Sequence, residues 1–502
     1  MPDKQQRYDV VVIGAGPGGY TAALRAAEHG LSVAVVERDR LGGVCANQGC
    51  IPTKALLRSA EVFALVRDAA AFGVTTGEVG FDLGAVVDRA VKTAASMEKG
   101  VEALLRGAKI PVIRGDGRLA GGGRVVVRTS DGETTLAATH VVLATGARPR
   151  TPAGFESDGR LVWTYRDALV PAQMPRSILV MGAGAIGVEL ASFYRTLGAD
   201  VTMVEMQSRI LATEDAEISE AMQRAMKRQG VRILTGAKAT RMDKRADAVT
   251  VTVEVRGNAE TITADRLLVA TGIDANTENL GLDCTAVRMD RGHIVVDGWL
   301  ATSEPGLYAI GDLTGPPWLA HKASREALIC IDRIAATEIR DRYGFPAKSV
   351  PVPDFRELPR AGTRVAVPLR RGAVPACTYA TPQVASVGVS EGDAVAGGRR
   401  VRCGRSTFLG NGKARALGSA DGFVKTVFDA DTGELLGAHM IGPEVTEFIG
   451  TFALALTLEA TEAEILATVF PHPTLSEAVH EATAAAFSSE IVSHVQVPAG
   501  RR

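Results

Sequence analysis

Cysteine is scarce: there are six in 502 residues, and four of them, Cys284, Cys330, Cys377 and Cys403, stand far apart, which excludes a disulfide-stapled scaffold. An excess of charge of one sign is lacking too, since 56 basic side chains face 57 acidic ones and leave a net of −1. With no global field to hold nucleic acid or an anionic membrane, neither is expected as a partner. Apolar runs are short and interrupted by glycine, so no membrane-spanning helix is expected. The opening MPDKQQRYDVVVIGAGPGGY passes from a polar lead into a strand-like run without the apolar core and cleavage site of a secretion signal, and a cytoplasmic protein is expected. Aromatics are only 5% of the chain, but 46% is hydrophobic and 54 residues are Gly, an ordinary globular composition. At about 150 residues per domain the length accommodates roughly three domains.

One unit is present twice. Residues 8–37, YDVVVIGAGPGGYTAALRAAEHGLSVAVVE, read as strand, glycine-rich turn, helix and second strand, and residues 177–205, SILVMGAGAIGVELASFYRTLGADVTMVE, repeat that plan. Both follow G-x-G-x-x-G, at Gly14, Gly16 and Gly19 and at Gly182, Gly184 and Gly187, and both place an acid 23 positions past the first glycine, Glu37 (37 − 14) and Glu205 (205 − 182). A lone glycine motif is weak, and such glycines also serve helix–strand packing alone. Here the preceding strand, the following helix and the acid make a dinucleotide site of each. The glycines let backbone approach a pyrophosphate at a helix N-terminus, and the carboxylate accepts ribose hydroxyls. THVVLATGARP (139–149) and ADRLLVATGID (264–274) each close an apolar strand with Ala-Thr-Gly, and GLYAIGDLTG (306–315) sets Asp312 just past another strand. From about residue 377, strand-like VASVGVS, GFVKTVFD and LLGAHMIG with Gly-rich turns, then Ala-rich helices, suit an α+β domain on an antiparallel sheet.

Only Cys45 and Cys50 are close, in GGVCANQGCIPTK. A regular helix would separate them by about 7.5 Å of rise, whereas a disulfide tolerates about 6.8 Å between α-carbons. The pair can bond only where the chain bends, and Gly49 and Pro52 supply a distortion and a fresh helix start. A helix N-terminus would also favour a thiolate. The other readings are half of a zinc site, for which the chain offers no second Cys or His pair at similar spacing, and two unrelated buried thiols.

GGVCANQGCIPTK, the two Rossmann units, GPPWLAHKA (315–323) and FPHPTLSE together resemble the FAD-dependent pyridine nucleotide-disulfide oxidoreductases, and among them the dihydrolipoyl dehydrogenases, over nearly the whole chain. The fold the resemblance implies is α/β with two Rossmann-like dinucleotide-binding domains, for FAD and NAD, and a C-terminal α+β dimerisation domain. The expected boundaries are 1–150 and 275–345 for FAD, 151–274 for NAD, 346–376 for a Pro-rich basic insert and 377–502 for dimerisation.

The resemblance implies that Cys45 exchanges with the substrate sulfur and Cys50 lies by the flavin in a charge-transfer complex. Lys54 matches a lysine near flavin N5, partnered by Glu189. FAD contacts are expected from Gly14, Gly16, Gly19, Glu37, Lys54, Gly117, Thr145, Gly146, Asp312, Leu319, Ala320 and His321. NAD contacts are expected from Gly182, Gly184, Ile186, Gly187, Glu189, Glu205 and Gly272, with no metal. A carboxylate at Glu205 repels a 2′-phosphate and favours NAD over NADP, although Arg209 follows four residues on. His472 and Glu477 match a base and its orienting carboxylate, supplied by the other subunit of a homodimer with shared active sites. On its own a His before Pro, or one Lys or Glu on a helix, is usually a solvated residue, and motif position alone singles these out. The implied reaction is oxidation of dihydrolipoyl groups, on an acyltransferase component's lipoyl domain, a glycine-cleavage carrier or another lipoylated protein, with NAD⁺ as acceptor and the reverse direction allowed.

Three features depart from the family pattern: Phe470 in place of a common His, Ala380-Thr381-Pro382-Gln383 in place of Thr-His/Glu-Pro-Glu, and the segment 340–376. That segment holds six Pro, and eight Lys or Arg against three Asp or Glu, a local charge of 8 − 3 = +5, which suggests a non-standard acidic lipoyl carrier or a solvated loop without a role. The alternative activity is NAD(P)H-dependent reduction of another disulfide, against which Glu205 and the absence of cysteine beyond Cys403 argue. An idle docking flavoprotein would not need the complete set of chemical residues.

Overall fold

Val10, Val11 and Val12 are completely buried in strand β1 (Gln6–Ile13), so both faces of the strand are covered. Val10 and Val12 pack with Ala22, Ala26 and Ile331 from helices on one face, and Val11 and Ile13 with Leu119, Val125 and Val127 on the other, as befits a central strand. Accordingly β1 lies between β2 (Val33–Glu37) and β3 (Gly132–Leu143), parallel to both, with Val10 opposite Val33 and His140. Helix α1 (Pro17–Glu28) connects β1 to β2, and α2 (Gly43–Gln48) and α3 (Cys50–Arg67) follow. Leu307–Ala309 adds to β3 in parallel, completing a seven-stranded sheet with Val112–Arg114 at one edge and an antiparallel extension, Arg124–Thr129 and Asp116–Leu119, at the other. The chain returns to this body after the second nucleotide unit, as its spaced sequence signals imply.

The computed structural model describes residues 6–343 and 368–487, which divide into two units. The first takes in the described residues of Met1–Leu56, Gly84–Arg150 and Ile273–Arg370, and the second those of Leu57–Leu83, Thr151–Gly272 and Arg371–Arg502. Residues 344–367, most of the basic insert, lie outside the described residues.

The second unit repeats the first's opening. Strands β4 (Ser177–Met181), β5 (Asp200–Glu205) and β6 (Arg266–Val269) are parallel neighbours, flanked by Arg232–Thr235 and Val162–Trp163. Helix α4 (Ala185–Thr196) joins β4 to β5, and α5 (Ala216–Arg228) follows β5. Between α5 and β6 sits a three-stranded antiparallel sheet over residues 237–264, whose inward Val249, Val251 and Val253 are fully buried. From Ala376 the unit becomes a five-stranded antiparallel sheet in which β7 (Gln383–Gly388), β8 (Val401–Thr407), β9 (Phe423–Asp429) and β10 (Leu435–Gly442) are ordered β7, β10, β9, β8, with Ala376–Thr378 at the β7 edge. Helices Val445–Thr457 and Glu477–Phe487 pack on it through Phe452, Val479 and Ala482. The α/β class with an α+β C-terminal domain agrees with the sequence expectation.

Candidate active site

The first glycine turn is shaped by three different needs. Gly14 has φ +104°, and a Cβ there would lie 2.3 Å from the Ala144 carbonyl oxygen, so any side chain is both strained and blocked. A Cβ on Gly19 would lie 1.9 Å from the Gly14 oxygen, which sets the close approach of α1 to the turn. Gly16 faces open space, and the α1 N-terminus has no side-chain cap. Its first-turn N–H groups and the positive end of the helix dipole are therefore directed at whatever fills that space. Glu37, buried at the end of β2, accepts the Ala15 amide on Oε2 at 2.6 Å and the Asp39 amide on Oε1 at 2.8 Å. These residues fit the pyrophosphate and ribose of a dinucleotide such as FAD.

The second turn is a near copy. Gly182 has φ +102° with a Cβ position 2.4 Å from the Ala270 oxygen, a Cβ on Gly187 would lie 2.1 Å from the Gly182 oxygen, and Gly184 is open. Glu205 accepts Ala183 N–H at 2.7 Å and Gln207 N–H at 2.8 Å. Ile186 follows in the first turn of α4, and Gly272, at φ +114°, closes the segment after β6. Arg209 is turned to main chain, with Nη2 3.2 Å from the Ala212 oxygen and 3.3 Å from the Glu214 oxygen. Glu189, buried in α4, accepts the Tyr379 amide at 2.8 Å.

The cysteine segment bends as the spacing argument requires. Gly49, at φ −143° and ψ −106°, breaks the helix between α2 and α3. Helix α3 restarts at Cys50 itself, so Pro52 sits in its first turn, where a missing N–H costs nothing. Asn47 holds α2 in place, donating from Nδ2 to the Leu41 and Gly43 carbonyls at 2.8 and 3.0 Å. Cys45 is brought to Cys50: a hydrogen bond between the two thiols, followed by burial, raises the Cys45 thiol well above its ordinary value, while the Lys54 charge pulls it down. Asp312 also acts on Cys45 and is itself held above the usual carboxylate range by burial, against the opposing charge of Lys322.

Asp312 stands in a short turn, Gly311–Thr314, that leads to Leu319 and the helix Ala320–Tyr343, in whose first turn His321 is exposed. What holds this turn escaped the sequence reading. Lys322, fully buried, donates to the Gly311 oxygen at 3.0 Å, Thr314 Oγ1 at 3.0 Å and the Gly315 oxygen at 3.1 Å, and pairs with Glu326 at 3.0 Å. Glu326 in turn accepts the Gly311 amide at 2.7 Å. The four-residue spacing of Lys322 and Glu326 in HKASRE was the readable signal. Of the remaining predicted contacts, Thr145 donates its hydroxyl to the Asn276 oxygen at 2.7 Å, Gly146 has φ +68°, and Gly117 sits on Asp116–Leu119 with a Cβ position 3.0 Å from Val36 Cγ1.

In the second unit His472 Nδ1 and Glu477 Oε1 are 2.7 Å apart, and Thr474 N–H donates to Glu477 Oε2 at 2.9 Å. Burial raises the Glu477 carboxyl, but the Thr474 amide and His472 outweigh it and hold the group below its ordinary value. The His472 side chain is 76% exposed, so its far nitrogen is open to a reactant. The departures have ordinary packing roles here: Phe470 lies edge-on to His480, and Thr381 is tied by Gln229 Nε2 to its oxygen at 2.7 Å and by Ser192 Oγ to its amide at 3.3 Å.

Residues 8–327 match the family described as pyridine nucleotide-disulphide oxidoreductase, and residues 374–483 match its dimerisation domain. A dihydrolipoyl dehydrogenase of Rhizobium etli is 46% identical over 96% of this chain and 98% of its own, and one of Zymomonas mobilis is 47% identical over the same shares. Among solved structures, LpdA from Mycobacterium tuberculosis superposes with a TM-score of 0.83 at 27% identity, covering 95% of this chain and 99% of its own. Among the described residues no helix is long and apolar enough to cross a membrane. With doubled dinucleotide turns, a bent cysteine pair and a dimerisation domain in one sequence, the chain belongs to the pyridine nucleotide-disulphide oxidoreductase family, in its dihydrolipoyl dehydrogenase branch, whose cofactors are FAD and NAD.

Proposed function

We propose that the chain, as a cytoplasmic homodimer, oxidises dihydrolipoyl groups carried on lipoylated proteins and passes the electrons to NAD⁺. The observation that supports this most directly is the hydrogen-bonded Cys45–Cys50 pair, set across the Gly49 break with Lys54 one turn beyond. In the oxidised couple, His472 of the partner subunit takes a proton from one substrate thiol, with a carboxylate on Nδ1 stabilising the resulting imidazolium. The substrate thiolate attacks the Cys45 sulfur and Cys50 leaves as a thiolate. The second substrate thiolate then displaces Cys45, releasing the cyclic disulfide and a reduced pair, so two electrons enter the protein. The Lys54 charge favours a thiolate at the pair, against the burial and thiol–thiol hydrogen bond that raise Cys45. FAD, which Gly14, Gly16, Gly19 and Glu37 would hold, would supply two-electron transfer between the reduced cysteine pair and NAD⁺.

Glu37 and Glu205 set the two nucleotide turns, and the position of Arg209, on backbone carbonyls, supports NAD over NADP. Anaerobic addition of dihydrolipoamide should give a long-wavelength thiolate–flavin absorption that NAD⁺ discharges, with turnover on NAD⁺ exceeding that on NADP⁺. Turnover with another disulfide but none with dihydrolipoamide would overturn the assignment.

A further inference from the structure

A row of polar residues crosses the C-terminal sheet. Ser386 of β7 pairs with His439 of β10, His439 with Lys425 of β9, and Lys425 with Arg405 of β8, so all four share one register and one face. Facing the row are Glu214, Asp215 and Glu217, which lead into and open α5 of the second Rossmann body, and Glu391 from the helix Glu391–Ala396. Lys425 Nζ, buried, lies 3.0 and 2.9 Å from the two Asp215 oxygens, 2.7 Å from Glu217 Oε1 and 2.8 Å from Glu391 Oε2. Arg405 donates to Glu217 Oε2 at 2.8 Å and to Glu391 Oε2 at 3.1 Å, and Ser386 hydrogen-bonds Glu214. His439 is bound through Nε2 to the Val389 oxygen at 3.0 Å. Without Lys425, Asp215 would lose its cation and Arg405 alone would remain beside Glu217 and Glu391.

Asp215 is also the end of a stitched loop. It caps α5, accepting Glu217 N–H at 3.0 Å, and the segment it closes begins directly after Glu205. Within that segment, Leu211 N–H donates to the Ala183 oxygen at 2.8 Å in the glycine turn, Glu214 N–H donates to the Leu211 oxygen at 2.9 Å, and Ser219 Oγ donates to that same oxygen at 2.9 Å. A displacement of Asp215 is thus carried by short hydrogen-bonded links through Leu211 to Ala183 and from there to Glu205.

We propose that Lys425 is a positioning residue for the pyridine nucleotide: it clamps Asp215 against the C-terminal sheet and thereby fixes the 206–215 loop beside the second glycine turn. This rests on the reading of that turn as the NAD site. The test uses FAD-loaded enzyme in two measurements, steady-state kinetics with NAD⁺ and anaerobic flavin reduction by dihydrolipoamide in the absence of NAD⁺. Lys425→Met should raise KM for NAD⁺ by about tenfold or more while the dihydrolipoamide half-reaction keeps its wild-type rate, and Lys425→Arg should recover most of the affinity. Glu391→Gln, which leaves Lys425 and Asp215 in place, should raise KM by about two- to threefold and carries the test if Lys425→Met yields no holoenzyme. An unchanged KM in folded variants, or a parallel loss in both measurements, overturns the proposal. A wild-type enzyme whose flavin NADH does not reduce would overturn the nucleotide reading itself, and the proposal with it.

Discussion

At Gly14 and Gly182 the backbone takes the same left-handed conformation, and at each turn a carboxylate at the end of the next strand accepts the amide that follows the first glycine. The likeness continues into the connection after the second strand, where Gly42 N–H donates to the Ala15 oxygen at 2.9 Å and Leu211 N–H to the Ala183 oxygen at 2.8 Å. Beyond that point the two regions part. In the first, the chain turns at once into α2 and delivers Cys45, and the body is closed by helix Ala320–Tyr343, with Gly18 packed against Ile310 and Ala323 and a buried Lys322–Glu326 pair under the Asp312 turn. In the second, the chain runs on to Asp215, and the buried cation is Lys425, contributed by a different sheet. One supersecondary unit therefore serves two cofactors, and its surroundings decide which chemistry lies next to it.

The comparison breaks most sharply at the two lysines. Lys322→Met leaves Glu326 buried without its cation, a loss of about 3–5 kcal/mol, and should strip flavin from the purified protein, read as the visible absorbance per chain. Lys425→Met should keep the flavin. Next come the glycines, where a methyl group meets fixed backbone and positive φ adds about 1–3 kcal/mol of strain. Gly14→Ala should abolish FAD retention, whereas Gly182→Ala should leave the flavin spectrum intact and weaken NADH binding, measured by flavin reduction. Should both variants lose only flavin, the assignment of the two turns fails. Glu37→Gln and Glu205→Gln each weaken an amide-to-carboxylate bond of about 1.5–3 kcal/mol, and they should separate in the same way by about tenfold to a hundredfold in affinity.

The smallest effect is one of pH. The hydrogen bond from Arg405, opposed by burial and reinforced by Lys425, lowers the Glu217 carboxyl from 4.5 to about 2. A carboxyl lowered by folding stabilises the fold above about pH 4.5, and that contribution is lost as the pH falls towards 2. Thermal melts across this window should show a smaller loss of melting temperature on acidification in Glu217→Gln than in wild type. Equal slopes would mean that Glu217 does not hold the second region together.

The strands around the glycine turns were legible because apolar runs ended in G-x-G-x-x-G at a constant distance from an acid, and the bend at Cys45–Cys50 because five helical residues overshoot a disulfide. The sheet over 237–264 was legible in principle, since Val249, Val251 and Val253 alternate with polar residues. Its strands went unnamed among stronger motifs. The partners of Lys322 and Lys425 differ in kind. Glu326 stands one helical turn from Lys322, a local spacing, whereas Asp215 lies 210 positions from Lys425 and meets it only through packing.

By itself the sequence determined the doubled dinucleotide plan, the redox pair and the family, because each depends on short-range spacing that local backbone geometry converts directly into a turn, a helix start or a strand end. The tertiary structure alone decided that Lys425 steadies the second half, since a charge can be taken out of water only where several acceptors converge on it, and Asp215 and Glu217 lie more than 200 positions from it in the chain.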